Sequence, residues 1–318
     1  MRVLVTGACG KVGAHVARAL RADAAFAGGV YTTDLARGVF DTPCDAQPAS
    51  AALYWQADLC DAGAVYALIA RAKPDVVVHV AAIPDPSHTP PGAVFTNNIS
   101  STFNVVEACV RLGVARLVNI SSETVPGFFF PERVLPGVSG QPLFCPVDET
   151  HPIAPQDPYA LSKHFGEQLC DAAVRRTPAL SVVSIRPSWC QDAANIERNL
   201  GPLIRDPTLP QPGMWAYIII EDLAAAIVAA AKLPAAALEP TRHEVVYIAA
   251  ADNAGGRDLA AAVKAAASTF GAVEMRALDR PDASGLSCAK ARKLLGWQPK
   301  HSWRDFLDAQ GRALAKAL

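Results

Sequence analysis

Along the chain, short runs of apolar residues alternate with longer segments in which apolar residues recur every three or four positions. The runs RVLVT from Arg2, GVYTTD from Gly29, DVVVHVAA from Asp75, ARLVNIS from Ala115 and LSVVSIRP from Leu180 read as strands. Between them, KVGAHVARALRA from Lys11, DAGAVYALIARA from Asp61, STFNVVEACVRLG from Ser101 and YALSKHFGEQLCDAAVRR from Tyr159 read as helices. Strands that are apolar along their whole length are buried on both faces, and a helix between consecutive strands is the crossover of a parallel sheet. The pattern therefore predicts an α/β fold, a doubly wound parallel sheet, over residues 1–186.

Past Pro187 the rhythm becomes irregular. RDPTLPQPG is followed by a strand and helix in WAYIIIEDLAAAIVAAAKL, a strand in HEVVYIAA and a helix in GGRDLAAAVKAAASTFG. This predicts a smaller, discontinuous α/β substrate lobe over 187–318, with segment 216–250 returning in part to the sheet. One stretch interrupts the first part. From Pro126 to Pro155 the chain is rich in proline and aromatics and too long for a routine connection, so it reads as a lid over a site or as a packed surface loop. Phe128, Phe129 and Phe130 within it read as loop-packing residues.

Composition narrows the function classes. With 318 residues, 51% hydrophobic and 19% charged, the chain can bury a sizeable core. A net charge of −1 gives no reason to expect a polyanionic partner, which sets nucleic acid aside. The eight cysteines include no Cys-x-x-Cys pair, so neither a zinc site nor a disulfide framework is expected. They read as small hydrophobes in a reducing compartment. His79 and His164 lack a second ligand at metal spacing and read as structural, so no metal is expected. The longest apolar stretch is broken by Glu221 and Asp222, and the N-terminus enters a strand pattern at once. A soluble cytoplasmic protein without a membrane anchor is the expectation.

Two local patterns carry chemistry. VTGACGKVG places Gly7, Gly10 and Gly13 between the first strand and the first helix, where bare backbone N–H groups can meet a pyrophosphate. Asp34 ends the second strand 21 residues beyond Gly13, where a carboxylate can accept hydrogen bonds from a ribose. The same carboxylate would repel a 2′-phosphate, so NAD is expected rather than NADP. In QDPYALSKHFGEQL, Tyr159 and Lys163 lie four apart on one helical face, with Pro158 fixing the helix start. Bringing a phenol from a pKa of about 10 to near neutrality costs roughly 4 kcal/mol. An ammonium about 4 Å away at an effective dielectric of about 20 supplies an energy of that size. Tyr159 is expected to take the proton from a substrate hydroxyl, with Ser122, just after the preceding strand, holding the oxygen by a hydrogen bond.

Together these residues resemble the extended short-chain dehydrogenase/reductase superfamily, the branch that includes nucleotide-sugar epimerases and dehydratases, over nearly the whole chain. The resemblance implies a Rossmann sheet that binds NAD. It carries cofactor contacts onto Gly7, Gly10, Lys11, Val12 and Gly13 of the glycine motif, and onto Asp34 and Leu35. ADLCD resembles the segment at adenine, implying Asp58 and Leu59, and VVHVAAIP the strand and turn beneath the cofactor, implying Val80, Ala81 and Ala82. TNNISSTFNVVEA implies a supporting Asn98, VNISSETVPG implies Ile120 and Ser122, YALSK implies Tyr159 and Lys163, and IRPSW places Pro187 and Ser188 near the nicotinamide.

Departures from the family pattern concern the substrate. Trp189 and Cys190 stand where nucleotide-sugar enzymes of this branch carry an asparagine that helps hold the diphosphate. Ser122-Glu123-Thr124 stands where dehydratases resemble Thr-Asp-Glu, and without a carboxylate at 124 elimination of water is disfavoured. Pro126 replaces an aromatic. These changes imply a smaller, more apolar pocket touched by Ser122, Glu123 and Trp189, with Glu123 either an acid or a loop cap. Arg186, Arg198 and Arg205 read as surface or interdomain salt bridges before they read as anion binders. The expected protein is an NAD-dependent oxidoreductase acting on a secondary alcohol or ketone of a small, sugar-derived substrate. The alternatives are a nucleotide-sugar epimerase with no net redox and, ranked last, a non-catalytic NAD sensor. A homodimer through the helices starting near Ser100 and Tyr159 is implied by the same resemblance.

Overall fold

The computed structural model of the chain describes residues 1–35, 53–84, 89–128, 141–206, 208–209, 211 and 213–315. In chain order the strands are β1 (Arg2–Thr6), β2 (Gly29–Asp34), β3 (Tyr54–Gln56), β4 (Val76–His79), β5 (Arg116–Ile120), β6 (Phe144–Cys145), β7 (Ser181–Pro187), β8 (Trp189–Gln191), β9 (Tyr217–Ile219), β10 (His243–Ile248) and β11 (Glu274–Met275). The helices that matter below are α1 (Lys11–Ala22), α2 (Ala62–Ala72), α3 (Pro91–Leu112), α4 (Pro158–Arg176), α5 (Ile196–Arg205) and α6 (Ile220–Lys232).

The chain forms two compact units. One comprises Met1–Ser121, Leu161–Ile185 and Ala224–Val245, the other Ser122–Ala160, Arg186–Leu223 and Val246–Leu318. The division thus differs from a single cut after residue 186, because segment 122–160 clusters with the second unit. Alternation of strand and helix cannot reveal this, since it records the order of elements and not which core each one joins.

The first unit carries a seven-stranded sheet in the order β10-β7-β5-β4-β1-β2-β3, a doubly wound arrangement. β1 pairs in parallel with β2 and β4, so that Thr6 lies opposite both Thr33 and His79. Val3, Leu4, Val5, Val77, Val78, Leu117, Val118, Val182 and Val183 are fully enclosed, as expected of strands covered on both faces. Of these, Leu4, Val77, Leu117 and Val182 share a hydrophobic cluster with Leu68 and Ile69 of α2 and Val105 and Val106 of α3. Each such side chain contributes about 1.5–3 kcal/mol when fully buried. Helix ends follow local rules. Asp61 accepts from Ala64 N–H to cap α2, and Gly113 ends α3 in the left-handed region at φ 72°. α3 begins ten residues before the Ser101 suggested by periodicity, because Pro91 occupies the first turn, where proline is well tolerated.

The second unit contains two short parallel pairs, β8 with β9 and β6 with β11. Its core gathers Trp215, Tyr217, Tyr247, Leu200, Trp303 and Phe128. Buried Asp252 accepts from Tyr217 Oη at 2.6 Å and Ser302 Oγ at 2.6 Å and pairs with Arg304, so this polar group is fully answered. Phe129 and Phe130, with the rest of 129–140 in the segment read as a lid or surface loop, lie outside the described residues. Among the described residues, no helix is long and apolar enough to cross a membrane.

Within the first unit, Arg116 at the start of β5 binds three groups. Its guanidinium donates to Ser181 Oγ at 2.8 Å and to the carbonyls of Ala230 and Leu233 at 2.8 Å each, closing the C-terminal end of α6. Burial, with Arg242 adding to it, lowers its pKa to about 10, which leaves it charged at neutral pH. Arg116→Met removes a buried cation together with three hydrogen bonds. It is expected to cost about 3 kcal/mol of unfolding free energy, read as a lower denaturant midpoint with an unchanged slope.

Candidate active site

The nucleotide-binding candidates of the first unit are built around a backbone crowding problem. After β1 the chain turns at Gly7, φ 67°, and Gly10 N–H returns to Gly7 O at 3.1 Å before α1 starts. A Cβ on Gly7 would lie 2.7 Å from the backbone N and Cα of Ala81, and one on Gly13 would lie 2.0 Å from Gly7 O. Only glycine fits either place. Gly10 is the N-cap of α1 and brings no side chain, so it makes no side-chain capping bond to the first turn that Lys11 and Val12 open. That is the cradle a pyrophosphate requires.

Asp34 stands at the end of β2 with Oδ2 accepting from Cys9 N–H at 2.8 Å and Oδ1 from Leu35 N–H at 2.7 Å. These bonds orient the carboxylate and leave each oxygen a lone pair for a ribose hydroxyl. Leu35 beside it is exposed. Asp58 Oδ1 accepts from Cys60 N–H in a local turn, while Leu59 is buried and its carbonyl accepts from Asn104 Nδ2. Glycine cradle, acidic strand end and Asp58–Leu59 all belong to the same compact unit, and this set fits an adenosine diphosphate.

Beneath the glycine turn runs a polar network that the sequence did not reveal. Thr6 Oγ1 accepts from the N–H groups of Val80 and Ala81 at 3.2 Å each and meets His79 Nδ1 at 2.9 Å, and His79 Nε2 meets Thr102 Oγ1 at 3.1 Å. Burial, with the charge of Lys163 adding to it, lowers His79 to about 3, so the imidazole is neutral. Ala82 follows in the same half-buried turn. Asn98 accepts from Ile83 N–H at 2.8 Å and donates to Ile83 O at 3.1 Å and Ser162 Oγ at 3.2 Å, tying that turn to α4. Lys163 Nζ donates to Ile120 O at 2.8 Å, and burial lowers its pKa to about 8. Ser121 Oγ donates to buried Glu167 at 2.6 Å. Glu167 stands four residues after Lys163, the one hint of this support in the sequence.

The second unit holds Ser122, Glu123, Tyr159, Pro187, Ser188 and Trp189. Asp157 caps α4 by accepting from the N–H groups of Tyr159 and Ala160 at 2.9 Å each, so it shares with Pro158 the job of starting the helix. Tyr159 and Lys163 lie one turn apart on α4. Ser122 Oγ receives Thr124 N–H at 3.2 Å and the Thr124 hydroxyl at 2.9 Å. Its own hydrogen is left for Tyr159, to which it is bonded.

Burial nevertheless raises the Tyr159 pKa above that of a free tyrosine. The Ser122 bond opposes this, and Cys190, Asp157 and Glu123 reinforce it. The expectation of a phenol made acidic by its surroundings is corrected here. Desolvation of the phenolate outweighs the favourable bond, and Tyr159 keeps its proton at neutral pH.

Glu123 is buried, its N–H donates to Pro187 O at 3.2 Å and its side chain accepts from Trp189 N–H. Ser188 N–H and Oγ both donate to Ile248 O, at 2.9 Å and 3.2 Å. Arg186 is fully buried, with its guanidinium 5.4 Å from the Tyr247 ring and Nη1 3.3 Å from that hydroxyl, so it packs inside the unit and is not a surface ion pair. Arg205 reaches Gly311 O at 3.4 Å, and Arg198 reaches its neighbour Asn199.

Comparison with known proteins agrees with this geometry. The sequence profile of the NAD dependent epimerase/dehydratase family matches residues 3–190. A UDP-glucose 4-epimerase of Mycolicibacterium smegmatis is 32% identical over 169 residues, 52% of this chain and 49% of that protein. The human 3 beta-hydroxysteroid dehydrogenase type 7 is 31% identical over 191 residues, 58% of this chain and 49% of that protein. The chain spans about half the length of these curated relatives. Among solved structures, a UDP-glucose-4-epimerase from Stenotrophomonas maltophila with bound NAD and formylated UDP-arabinopyranose superposes with a TM-score of 0.67 at 23% identity, covering 96% of this chain and 95% of that one.

The glycine cradle generates a direct test. Gly13→Ala puts a methyl group into Gly7 O, and the strain expected is roughly 1–3 kcal/mol. The variant should melt lower than the parent protein and should lose most of the melting-temperature rise that NAD gives the parent, in a thermal-shift titration.

Proposed function

We propose that this chain, which belongs to the NAD dependent epimerase/dehydratase family and has NAD as its cofactor, interconverts a secondary alcohol and a ketone on a small, sugar-derived substrate. The observation that carries the proposal is the Ser122–Tyr159 hydrogen bond, made by a desolvated phenol at the start of α4. Bound NAD supplies the acceptor and donor of hydride, which no side chain of the chain can supply. The glycine turn with Lys11 and Val12, Asp34 with Leu35, and Asp58 with Leu59 bind its pyrophosphate and adenosine. Val80, Ala81, Ala82, Asn98, Ile120, Pro187 and Ser188 are assigned to its nicotinamide half.

Tyr159 is the proton-transfer group. Its surroundings favour the neutral phenol, so it gives a proton to the oxygen of a carbonyl being reduced and takes it back when an alcohol is oxidised. Ser122, held by two donors from Thr124 and bonded to the phenol, orients Tyr159, and its hydrogen turns to the substrate oxygen once that oxygen lies beside the phenol. Lys163, one turn further along α4, supplies a positive charge below its pKa of about 8. Trp189 and Glu123 are assigned to the substrate.

A second reading is favoured by the UDP-glucose 4-epimerase relative. The same residues would then pass the sugar through a transient ketone and restore the alcohol in the opposite configuration, with no net redox. The steroid dehydrogenase relative supports the net-redox outcome. A cytoplasmic location is part of the proposal, as is a homodimer. On the first unit, Phe103 (47% exposed) and Leu112 (42%) of α3 and Phe165 (40%) of α4 are large apolar side chains left in solvent.

Two measurements bear on this. With UDP-glucose and related sugars as probes, Tyr159→Phe is expected to lower kcat by about 10²–10⁴-fold. In the parent protein, accumulation of NADH marks net oxidation, and an isomerised sugar with NAD retained marks epimerisation. Unchanged turnover in the variant would remove both readings. Light scattering at micromolar concentration should give the mass of two chains, and Phe103→Asp combined with Phe165→Asp should give one. A parent protein that is already monomeric removes the dimer.

A further inference from the structure

Asp171 stands four residues beyond Glu167, so Lys163, Glu167 and Asp171 form one polar stripe along α4. The first two hold the end of β5, where Lys163 Nζ donates to Ile120 O and Glu167 accepts from Ser121 Oγ. The third reaches further across the same unit. Asp171 Oδ1 lies 2.6 Å from Nδ1 of His243, the first residue of β10, and His243 Nε2 lies 2.8 Å from Ser184 Oγ on β7. Ser184 Oγ accepts in turn from Asn119 Nδ2 of β5 at 3.1 Å. Acid, imidazole and hydroxyl follow one another as in a nucleophilic triad. Ser184 cannot act as a nucleophile, because it is fully buried and already takes the Asn119 amide. The His243 ring is enclosed while the Asp171 carboxyl is half exposed, and the bond to His243 holds that carboxyl below the usual range. Asp171 is therefore an acceptor at neutral pH and keeps the imidazole hydrogen on Nδ1. His164 and Arg175 of α4 also act on Asp171, and the Cys170 thiol bonds Ser184.

We propose that Asp171 and His243 are positioning residues: the clasp they form seats the C-terminal half of α4 on β10 and β7 and so holds Lys163 at the Ile120 carbonyl, away from water. A helix moves as one body, so the bonds along its stripe act together. Those to Ile120 and Ser121 lie side by side at the end of β5, and a helix held there alone can pivot. The clasp is one turn beyond Glu167 and reaches β10, two places from β5 in the sheet order, so it removes the pivot. Ala173 and Val174 pack the same half of α4 into the apolar cluster, but apolar contact is not directional and does not fix rotation. The inference rests on the assignment of Lys163 to the proton-transfer site, and it adds what keeps that lysine in place.

The test uses the full chain loaded with NAD and follows the Lys163 Cε resonance by carbon NMR, identified by its loss in Lys163→Met. The buried ammonium of the parent should titrate near pH 8, below an exposed lysine. In Asp171→Ala the helix can pivot and water can reach the ammonium, so the midpoint should rise by about 0.5–1 pH unit. Asp171→Asn, whose amide oxygen still accepts from His243, should titrate as the parent does. Alanine is the best helix former and the Asp171 side chain is half exposed, so Asp171→Ala is expected to fold. With UDP-glucose as the probe, kcat of Asp171→Ala should fall about 3- to 30-fold at unchanged NAD affinity. A lower melting temperature with the Lys163 midpoint unmoved would show the clasp to be structural only and overturns the proposal. Full activity in Tyr159→Phe would instead remove the proton-transfer reading, and the Lys163 titration would still decide whether the clasp holds the lysine.

Discussion

The close approach of three backbone segments at Gly7, Gly13 and Ala81 is the constraint on which the first unit depends. With a Cβ at position 13 reaching to 2.0 Å of Gly7 O and one at position 7 to 2.7 Å of Ala81, the turn after β1 can lie this close to the end of β4 only with glycine at both places. That contact places Thr6 where one hydroxyl serves the N–H groups of Val80 and Ala81 and the ring of His79. From His79 the chain of bonds continues to Thr102 on α3, and from Asn98 on the same helix to Ile83 and to Ser162 on α4. The Thr6–His79, His79–Thr102 and Asn98–Ser162 links are buried, so strand ends and helices that are distant in sequence are held in one register. A cofactor cradle made of backbone requires this, because backbone cannot adjust by changing rotamer.

Burial then sets the protonation of the groups that carry chemistry, always towards the uncharged form. In the first unit His79 falls to about 3 and Lys163 to about 8. In the second, Tyr159 and Glu123 are both raised. The physical cause is the same in all four cases, since moving a charge out of water costs more than the few bonds available to it return. The second unit thus holds a phenol and a carboxyl group that burial both pushes towards their uncharged forms.

Much of the nucleotide-binding set was legible because it is local in sequence. The three glycines, Asp34 at a strand end and the four-residue spacing of Tyr159 and Lys163 are each specified by a few consecutive residues, and the folded chain keeps them on the expected elements. The supports behind them were not legible. Thr6, Thr102, Ser162 and Glu167 are ordinary residues of strands and helices, and they matter only because the sheet order brings their elements together. Arg186 illustrates the limit. A charged residue at the end of an apolar strand reads as a surface group, yet it lies fully buried against Tyr247.

By itself the amino-acid order determined the elements, their parallel crossover connection and the place of the glycine turn, because hydrophobic periodicity and glycine's conformational range act over a few residues. Only the tertiary structure decided that segment 122–160 joins the second unit, that Asp157 and Thr124 brace Tyr159 and Ser122, and that burial raises the pKa of both Tyr159 and Glu123. Those outcomes depend on how much water each group loses and which distant partners replace it, and neither quantity is written in neighbouring residues.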